Sequence, residues 1–383
     1  GIGKAVKGTK QLLKYAIYHS NLFEDLGFKY LGPIDGHNLD ELTEALMVAK
    51  MMQRPCLVHI YTKKGKGYAP AEDNSGEYHG LPPKKDDDNN CKGECFTDAF
   101  GKALLSFADK DNSIYAVTAA MKYGTGLQHF YKAFPERFFD VGIAEQHAVT
   151  FSAGLASQGK LPVFAVYSSF LQRSYDQLIH DCAIEKRHIV LGIDRAGFVG
   201  EDGETHHGLF DVAMLTTVPG VTVYSPSDTA ELSQCLEQAL YKDKGIVAVR
   251  YPRGCELYRS GTKAYSDFRH VSNKSRKLIF TYGRISAYAY TIHGVDVLQA
   301  IKIFPIADEM IDICLAYDEI YAFEEGEREG GIAQKLCTAL ALAGFKGRFT
   351  ITAVDGFVRH ADVAAQLHNA MLDADGMRKI TGE

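Results

Sequence analysis

The sequence contains no apolar run near the roughly 18 residues that a membrane helix needs, and no signal-peptide pattern, which argues against a membrane span and against secretion. Nor is there an excess of positive charge. The 42 Lys+Arg stand against 48 Asp+Glu, a net charge of -6, so a non-specific nucleic-acid binder is excluded. Cysteines are few and scattered (56, 91, 95, 182, 235, 255, 314 and 337), and only Cys91 and Cys95 lie close together. No second Cys/His pair accompanies "CKGEC", so no metal site is expected there, and reduced thiols of a cytoplasmic protein fit best. No strict internal repeat is visible. The chain opens on "GIGKAVKG" without an initiating Met, as a fragment would.

A length of 383 residues implies two or three domains, and 46% hydrophobic with 23% charged residues is a globular composition. Two polar breaks, "PPKKDDDNNCKGEC" and "RGCELYRSGTKAYSDFRHVSNKSRK", read as connections and divide the chain into three segments. In the first, "GFKYLGPIDGHN", "LDELTEALMVAKMM" and "PCLVHIYT" form one βαβ unit. The middle segment alternates helices near 96–108, 145–158, 170–185 and 228–242 with the strands "SIYAVTAA", "RFFDVGI", "LPVFAVYS", "HIVLGID", "VTVYSP" and "GIVAVRYP". The last places "KLIFTYG", "EIYAFEE" and "RFTITAV" around helices such as "GIAQKLCTALALAG". This predicts an α/β fold of three-layer α/β/α domains with mainly parallel sheets.

Open parallel sheets bind ligands beyond the carboxyl ends of their strands, and the chemistry-bearing residues fall there. Glu145 follows "FFDVGI" in the first turn of a helix, where the dipole favours an anion. The next strand ends supply Tyr167 and Phe170, then Arg195, Asp202, His206 and His207, then Arg250 and Arg253. Each has an ordinary reading: a helix-capping carboxylate, core aromatics, a solvated His pair, arginines in ion pairs. Their gathering at successive strand ends favours a site. Glu324 and Glu325 read as a charged strand end, and His360 as a loop or contact residue.

"FDVGIAEQHAVTFSAGLA", "YSSFLQRSYDQ", "IDRAGFVGEDGETHHG" and "VRYPRG" resemble the signature blocks of the 1-deoxy-D-xylulose-5-phosphate synthase family, thiamine-diphosphate enzymes of the transketolase superfamily. "LGPIDGHN", "TKKGKGYAPAE", "FEEGEREGGIAQ" and "VDGFVRHA" extend the resemblance over the whole chain, in order. It implies a transketolase-like, thiamine-diphosphate-binding fold. Residues 1–82 would be the C-terminal remnant of the diphosphate-binding domain and 96–255 the pyrimidine-binding domain. Residues 278–383 would be the C-terminal domain, with linkers at 83–95 and 256–277. It further implies that Glu145 hydrogen-bonds the cofactor's pyrimidine nitrogen and thereby promotes the imino form that deprotonates the thiazolium. Phe170 would stack on the pyrimidine, and Tyr68 would meet the cofactor from the first domain on a loop kept slim by Gly65 and Gly67. The implied substrates are pyruvate and D-glyceraldehyde 3-phosphate, condensed with loss of carbon dioxide. Arg195 and Arg253 would hold the phosphate with Tyr167 beside them, Asp202 and His206 would face the substrate, and His206 and His79 would serve as acid/base or oxyanion groups.

One departure stands beside the match. The superfamily's Gly-Asp-Gly motif with its downstream Asn, which holds the diphosphate and Mg2+, does not occur ahead of "GPIDGH". Weak or absent cofactor binding by this chain alone is therefore expected, with activity in a full-length protein or beside a separate N-terminal chain. Other readings are a transketolase, the pyrimidine-binding subunit of a 2-oxo acid dehydrogenase, or a non-catalytic assembly module. The resemblance also suggests a homodimer.

Overall fold

The computed structural model describes residues 22–79, 93–259, 261 and 264–383. The chain forms two compact units, Gly1–Lys85 and Asp86–Glu383. Cys91 and most of the expected 83–95 linker lie outside the described residues.

In the first unit, β1 (Lys29–Asp35) and β2 (Cys56–Tyr61) pair in parallel across the helix Leu39–Met51, as the βαβ reading requires. The helix starts where the Asn38 side chain accepts the Glu41 N–H at 3.2 Å. The described helix buries no residue fully, and its Leu39 and Met51 are 71% and 75% exposed.

The second unit contains β3 (Ile114–Thr118), β4 (Phe138–Asp140), β5 (Leu161–Tyr167), β6 (Ile189–Asp194), β7 (Thr222–Tyr224) and β8 (Ile246–Arg250). These are followed by β9 (Phe268–Val271), β10 (Lys277–Tyr282), β11 (Asp296–Ala300), β12 (Lys302–Phe304), β13 (Glu319–Glu327) and β14 (Arg348–Val354). Seven form one sheet in the order β12-β7-β8-β6-β5-β3-β4, and five form a second in the order β14-β13-β10-β11-β9. All pairs are parallel except β12 with β7 and β9 with β11. Strand β5 shows why its apolar run is unbroken. Val163 and Ala165 pack on one face with Phe96, Phe100 and Leu104, while Phe164 and Val166 pack on the other with Ala148 and Val149.

The structure corrects the sequence reading at several points. Strand β9 lies inside the stretch read as a connection, β11 escaped the apolar-run criterion, and β12 leaves the last segment to pair with the middle sheet. The helix expected over 170–185 is broken into α, 3-10 and π pieces between Ser168 and Ala183. Within it the Ser174 hydroxyl bonds the Leu171 carbonyl at 2.8 Å and competes with the helical ladder. Cys255 is disulfide-bonded rather than reduced, whereas the Cys95 sulfur lies 2.7 Å from its own without being its disulfide partner, and Cys56, Cys182, Cys235, Cys314 and Cys337 are free thiols.

Glu324 and Glu325 do lie near the end of β13, but they are buried. They are 1% and 5% exposed. Glu324 accepts the N–H groups of Ile332 and Ala333 at 2.9 Å each, at the start of the helix Ile332–Leu342, and the Tyr282 hydroxyl at 2.6 Å. Burial pushes its carboxyl up. His360 is an exposed loop residue, as read. No helix among the described residues is long and apolar enough to cross a membrane.

Candidate active site

Strands β5, β6 and β8 are neighbours in register, Tyr167 opposite Asp194 and Ile193 opposite Arg250, so the residues that follow them leave the sheet along one edge. Beyond β4, Glu145 is the first residue of the helix Glu145–Ser157, whose N-cap, Ala144, offers no side-chain acceptor. The carboxylate is 2% exposed and therefore needs a partner. Arg173 supplies it, donating to Oε2 at 2.6 Å. Oε1 accepts no hydrogen bond from any described residue, and it is this free oxygen that suits a ring-nitrogen donor. Arg173 follows Phe170 by three residues along the broken helix, and Phe170 packs against the core cluster that includes Ala148 and Val149 of the Glu145 helix.

A row of rings and cations runs onward from Phe170. Its ring lies 5.2 Å from that of His206, edge on, and 5.6 Å from that of Tyr167, stacked. The Arg195 guanidinium sits 3.7 Å over the Tyr167 ring. Arg195 NH1 donates to the Gly124 carbonyl at 3.0 Å and to Asp194 at 3.3 Å, while its buried Nε has no acceptor among the described residues. Gly124 has no room for a Cβ because the Tyr167 hydroxyl occupies that space. Arg195 holds φ +62°, a left-handed conformation that costs a non-glycine residue about 1–2 kcal/mol. Across the loop, Arg253 NH1 donates to Asp202 at 2.6 Å and to the Val199 carbonyl at 3.0 Å. Burial raises the Tyr167 hydroxyl, and the charges of Arg195, Asp194, Asp202 and Arg253 all act on it, so these groups share one neighbourhood.

Asp194 is fully buried, and burial lifts its carboxyl to about 6 against the pull of Arg195 and the Thr97 hydroxyl. Because the folded value exceeds the ordinary 3.8, the folded state holds an extra proton between the two. The stability this contributes is full below pH ~4 and lost as pH rises through ~6, by on the order of 3 kcal/mol. Denaturant unfolding of the wild type and Asp194→Asn across that window should show the wild type losing stability relative to the variant. A constant difference would contradict this account.

The structure thus brings Glu145, Tyr167, Phe170, Arg195, Asp202, His206 and Arg253 to one edge. It removes two residues from it. Arg250 is 3% exposed, donating to Asp211 through Nε at 2.9 Å and NH2 at 3.2 Å. His207 is also 3% exposed, accepts the Val199 N–H on Nδ1 at 3.1 Å, and has its pKa lowered by burial.

Tyr68 and His79 belong to the first unit. Tyr68 is 56% exposed and meets Tyr78 edge on, and the exposed His79 takes a hydrogen bond from Lys64 on Nδ1. A Cβ on Gly65, at φ +80°, would strike the Ala71 backbone, whereas Gly67 needs glycine only for its φ of +97°.

Sequence reading missed Arg173, Asp194 and Gly124. Arg173 was legible, three residues after Phe170 in the same quoted block. Gly124 and Asp194 act through residues 71 and 97 positions away, so no local pattern reveals them.

Comparison with known proteins agrees with this architecture. The family pattern "Transketolase, pyrimidine binding domain" matches residues 95–256, and "1-deoxy-D-xylulose-5-phosphate synthase" matches residues 1–62. The chain is 47% identical over 300 residues to the 1-deoxy-D-xylulose-5-phosphate synthase of Clostridium kluyveri, covering 76% of this chain and 47% of that protein. It is 41% identical over 389 residues to that of Brevibacillus brevis (96% and 61%), and 39% over 396 residues to that of Aquifex aeolicus (98% and 63%). It therefore spans about half to two thirds of these relatives' length.

Among solved structures, a split-gene transketolase chain, described as an inactive β4 tetramer, superposes with a TM-score of 0.64 at 23% identity over 74% of this chain and 95% of that one. The Campylobacter jejuni transketolase superposes with 0.63 at 14% identity over 96% and 70%. These two show the transketolase-like α/β fold. Both sequence patterns occur here in order and the relatives match along nearly the whole chain, so over that length the chain is similar to the 1-deoxy-D-xylulose-5-phosphate synthase family.

Proposed function

We propose that this chain carries the pyrimidine side of a thiamine-diphosphate site and the acceptor site for condensing pyruvate with D-glyceraldehyde 3-phosphate, with release of carbon dioxide, to 1-deoxy-D-xylulose 5-phosphate. One observation carries the reading: a buried Glu145 bound by Arg173, with one oxygen open, and an aromatic and arginine row that starts at Phe170, three residues before that arginine. Thiamine diphosphate, when bound, supplies a nucleophilic carbon made by loss of a proton from its thiazolium. Glu145 would hold a proton on the pyrimidine ring and Phe170 would cover the ring and exclude water. The stacked Arg195, with its unpaired Nε, and Arg253 would bind the acceptor's phosphate as fixed charges. His206, half-buried against Phe170, would donate a proton to the new alkoxide, a role for which His79 is the other candidate.

Residues 96–255 would be the pyrimidine-binding domain and 278–383 the C-terminal domain. The diphosphate and Mg2+ would be held by a Gly-Asp-Gly motif on a further polypeptide segment. A homodimer in the cytoplasm is the proposed setting. A structural neighbour is the product of a split gene, which supports testing a second chain.

The test is a titration with thiamine diphosphate and Mg2+ and an assay of carbon dioxide release from the two substrates, with and without an added polypeptide bearing that motif. Pyruvate-dependent release in the mixture is the expected result. A preference for a ketose donor without release would move the chain to the transketolase branch, and no turnover at all would favour an assembly module. In the active mixture, Arg253→Ala should raise the acceptor KM by roughly 10- to 100-fold, the value of a charge-assisted contact. An unchanged KM would remove Arg253 from the phosphate site.

A further inference from the structure

The loop Arg195–His206 carries three of the proposed acceptor contacts, yet its central backbone is held from the other sheet. Glu325, at the end of β13, accepts the Phe198 N–H at 2.7 Å. Arg284, just after β10, donates to the Phe198 carbonyl at 2.9 Å and to the Arg253 carbonyl at 3.3 Å. The same guanidinium pairs with Glu325, through Nε at 2.9 Å and through NH2. Gln366, on the helix Val363–Asn369, accepts the Gly200 N–H at 3.2 Å and donates to the Gly200 carbonyl at 3.3 Å. All three residues are at most 5% exposed. Gly197, at φ +81°, has its missing Cβ replaced by the Glu325 carboxylate, so the approach is as close as a glycine permits.

The remaining groups of Gly197–Gly200 are paired within the middle segment. Gly197 exchanges two 2.8 Å bonds with Gly208, and Val199 bonds His207 and Arg253. Every backbone N–H and C=O from Gly197 to Gly200 thus has a partner, and both groups of Phe198 and the N–H of Gly200 depend on residues 86 to 166 positions away. A glycine-rich loop on its own would sample many conformations. Fixed at both peptide groups, it presents Arg195 at one end and Asp202 and His206 at the other.

We propose that Glu325, Arg284 and Gln366 are positioning residues of the acceptor site, setting the backbone of the 195–206 loop so that its side chains converge on a phosphorylated aldehyde. The proposal rests on the function argued above. The C-terminal domain then contributes to substrate choice without touching substrate, which no residue of it was read to do from sequence.

Gln366→Leu tests this without stranding a buried charge. Hydrogen exchange on the full chain should show the Gly200 amide losing protection by about tenfold, the value of one hydrogen bond, while the helix Glu145–Ser157 keeps its own. In the mixture that turns over, the ratio of kcat/KM for D-glyceraldehyde 3-phosphate to that for D-glyceraldehyde should fall about tenfold, because only the phosphorylated acceptor uses the loop's arginine. Equal loss for both acceptors would indicate general loosening and overturn the proposal, as would unchanged protection. A wild-type mixture with no activity would count against the function itself, and the exchange result would then decide this proposal alone. Glu325→Gln, which keeps an acceptor for the Phe198 N–H, should retain that amide's protection more fully than Glu325→Ala does. The reverse order would also overturn it.

Discussion

Glu145→Gln is expected to lower kcat by on the order of 10²–10⁴-fold in the assembled enzyme while leaving the fold intact. The glutamine has the same shape, and its remaining carbonyl can still accept from Arg173, which now reaches Oε2 at 2.6 Å. What disappears is the negative charge that favours a proton on the facing ring nitrogen. The side chain has no other hydrogen-bonding duty among the described residues, so the stability change should be small. The cost is the favourable meeting of an anion with the helix N-terminus, roughly 1 kcal/mol or less. The measurements are single-turnover carbon dioxide release and thermal melting of the same preparations. Near-normal turnover would end the role assigned to this carboxylate, and so would a loss of turnover that merely tracks unfolding.

Arg250→Ala should destabilise the second unit by about 3–5 kcal/mol, because it leaves Asp211 as a buried charge without its counter-ion. Arg250 and Asp211 are 3% and 2% exposed, and Arg250 also reaches Ser225 at 3.3 Å and the Gly208 carbonyl at 3.5 Å. The pair joins the carboxyl edge of the seven-stranded sheet to the short helix Asp211–Leu215. Denaturant unfolding should show the loss as a lower midpoint with little change in slope. The double variant with Asp211→Ala should cost less than the sum of the single ones, since it removes both charges together. A loss under about 1 kcal/mol for Arg250→Ala would mean that water replaces the missing partner and that the pair is not sealed.

Strand β11 shows where sequence reading stops. "DVLQA" breaks the apolar pattern with an Asp and a Gln, yet Asp296 and Gln299 are 1% and 0% exposed. Asp296 accepts from Ser272, Asn273, Ser275 and Tyr317, and Gln299 is held by Tyr290, Ser227 and Glu231. A polar residue can be buried at little cost once partners surround it, but those partners come from distant parts of the chain. Glu324 and Glu325 misled for the same reason. A carboxylate at a strand end is exposed by default, and the N–H groups of Ile332, Ala333 and Phe198, the Tyr282 hydroxyl and the Arg284 guanidinium make burial possible.

What the sequence alone determined was the alternation of apolar strands and amphipathic helices, the strand ends at which chemistry gathers, and the residue types placed there. These are properties of local periodicity, which folding preserves. Tertiary structure decided which of those residues remain at the edge and which are withdrawn into ion pairs, as Arg253 and Arg250 were separated three positions apart. It also decided that a loop between two middle strands is shaped by the C-terminal sheet. Burial and hydrogen-bond partnership depend on what the rest of the chain brings alongside, and that information is not contained in any short stretch.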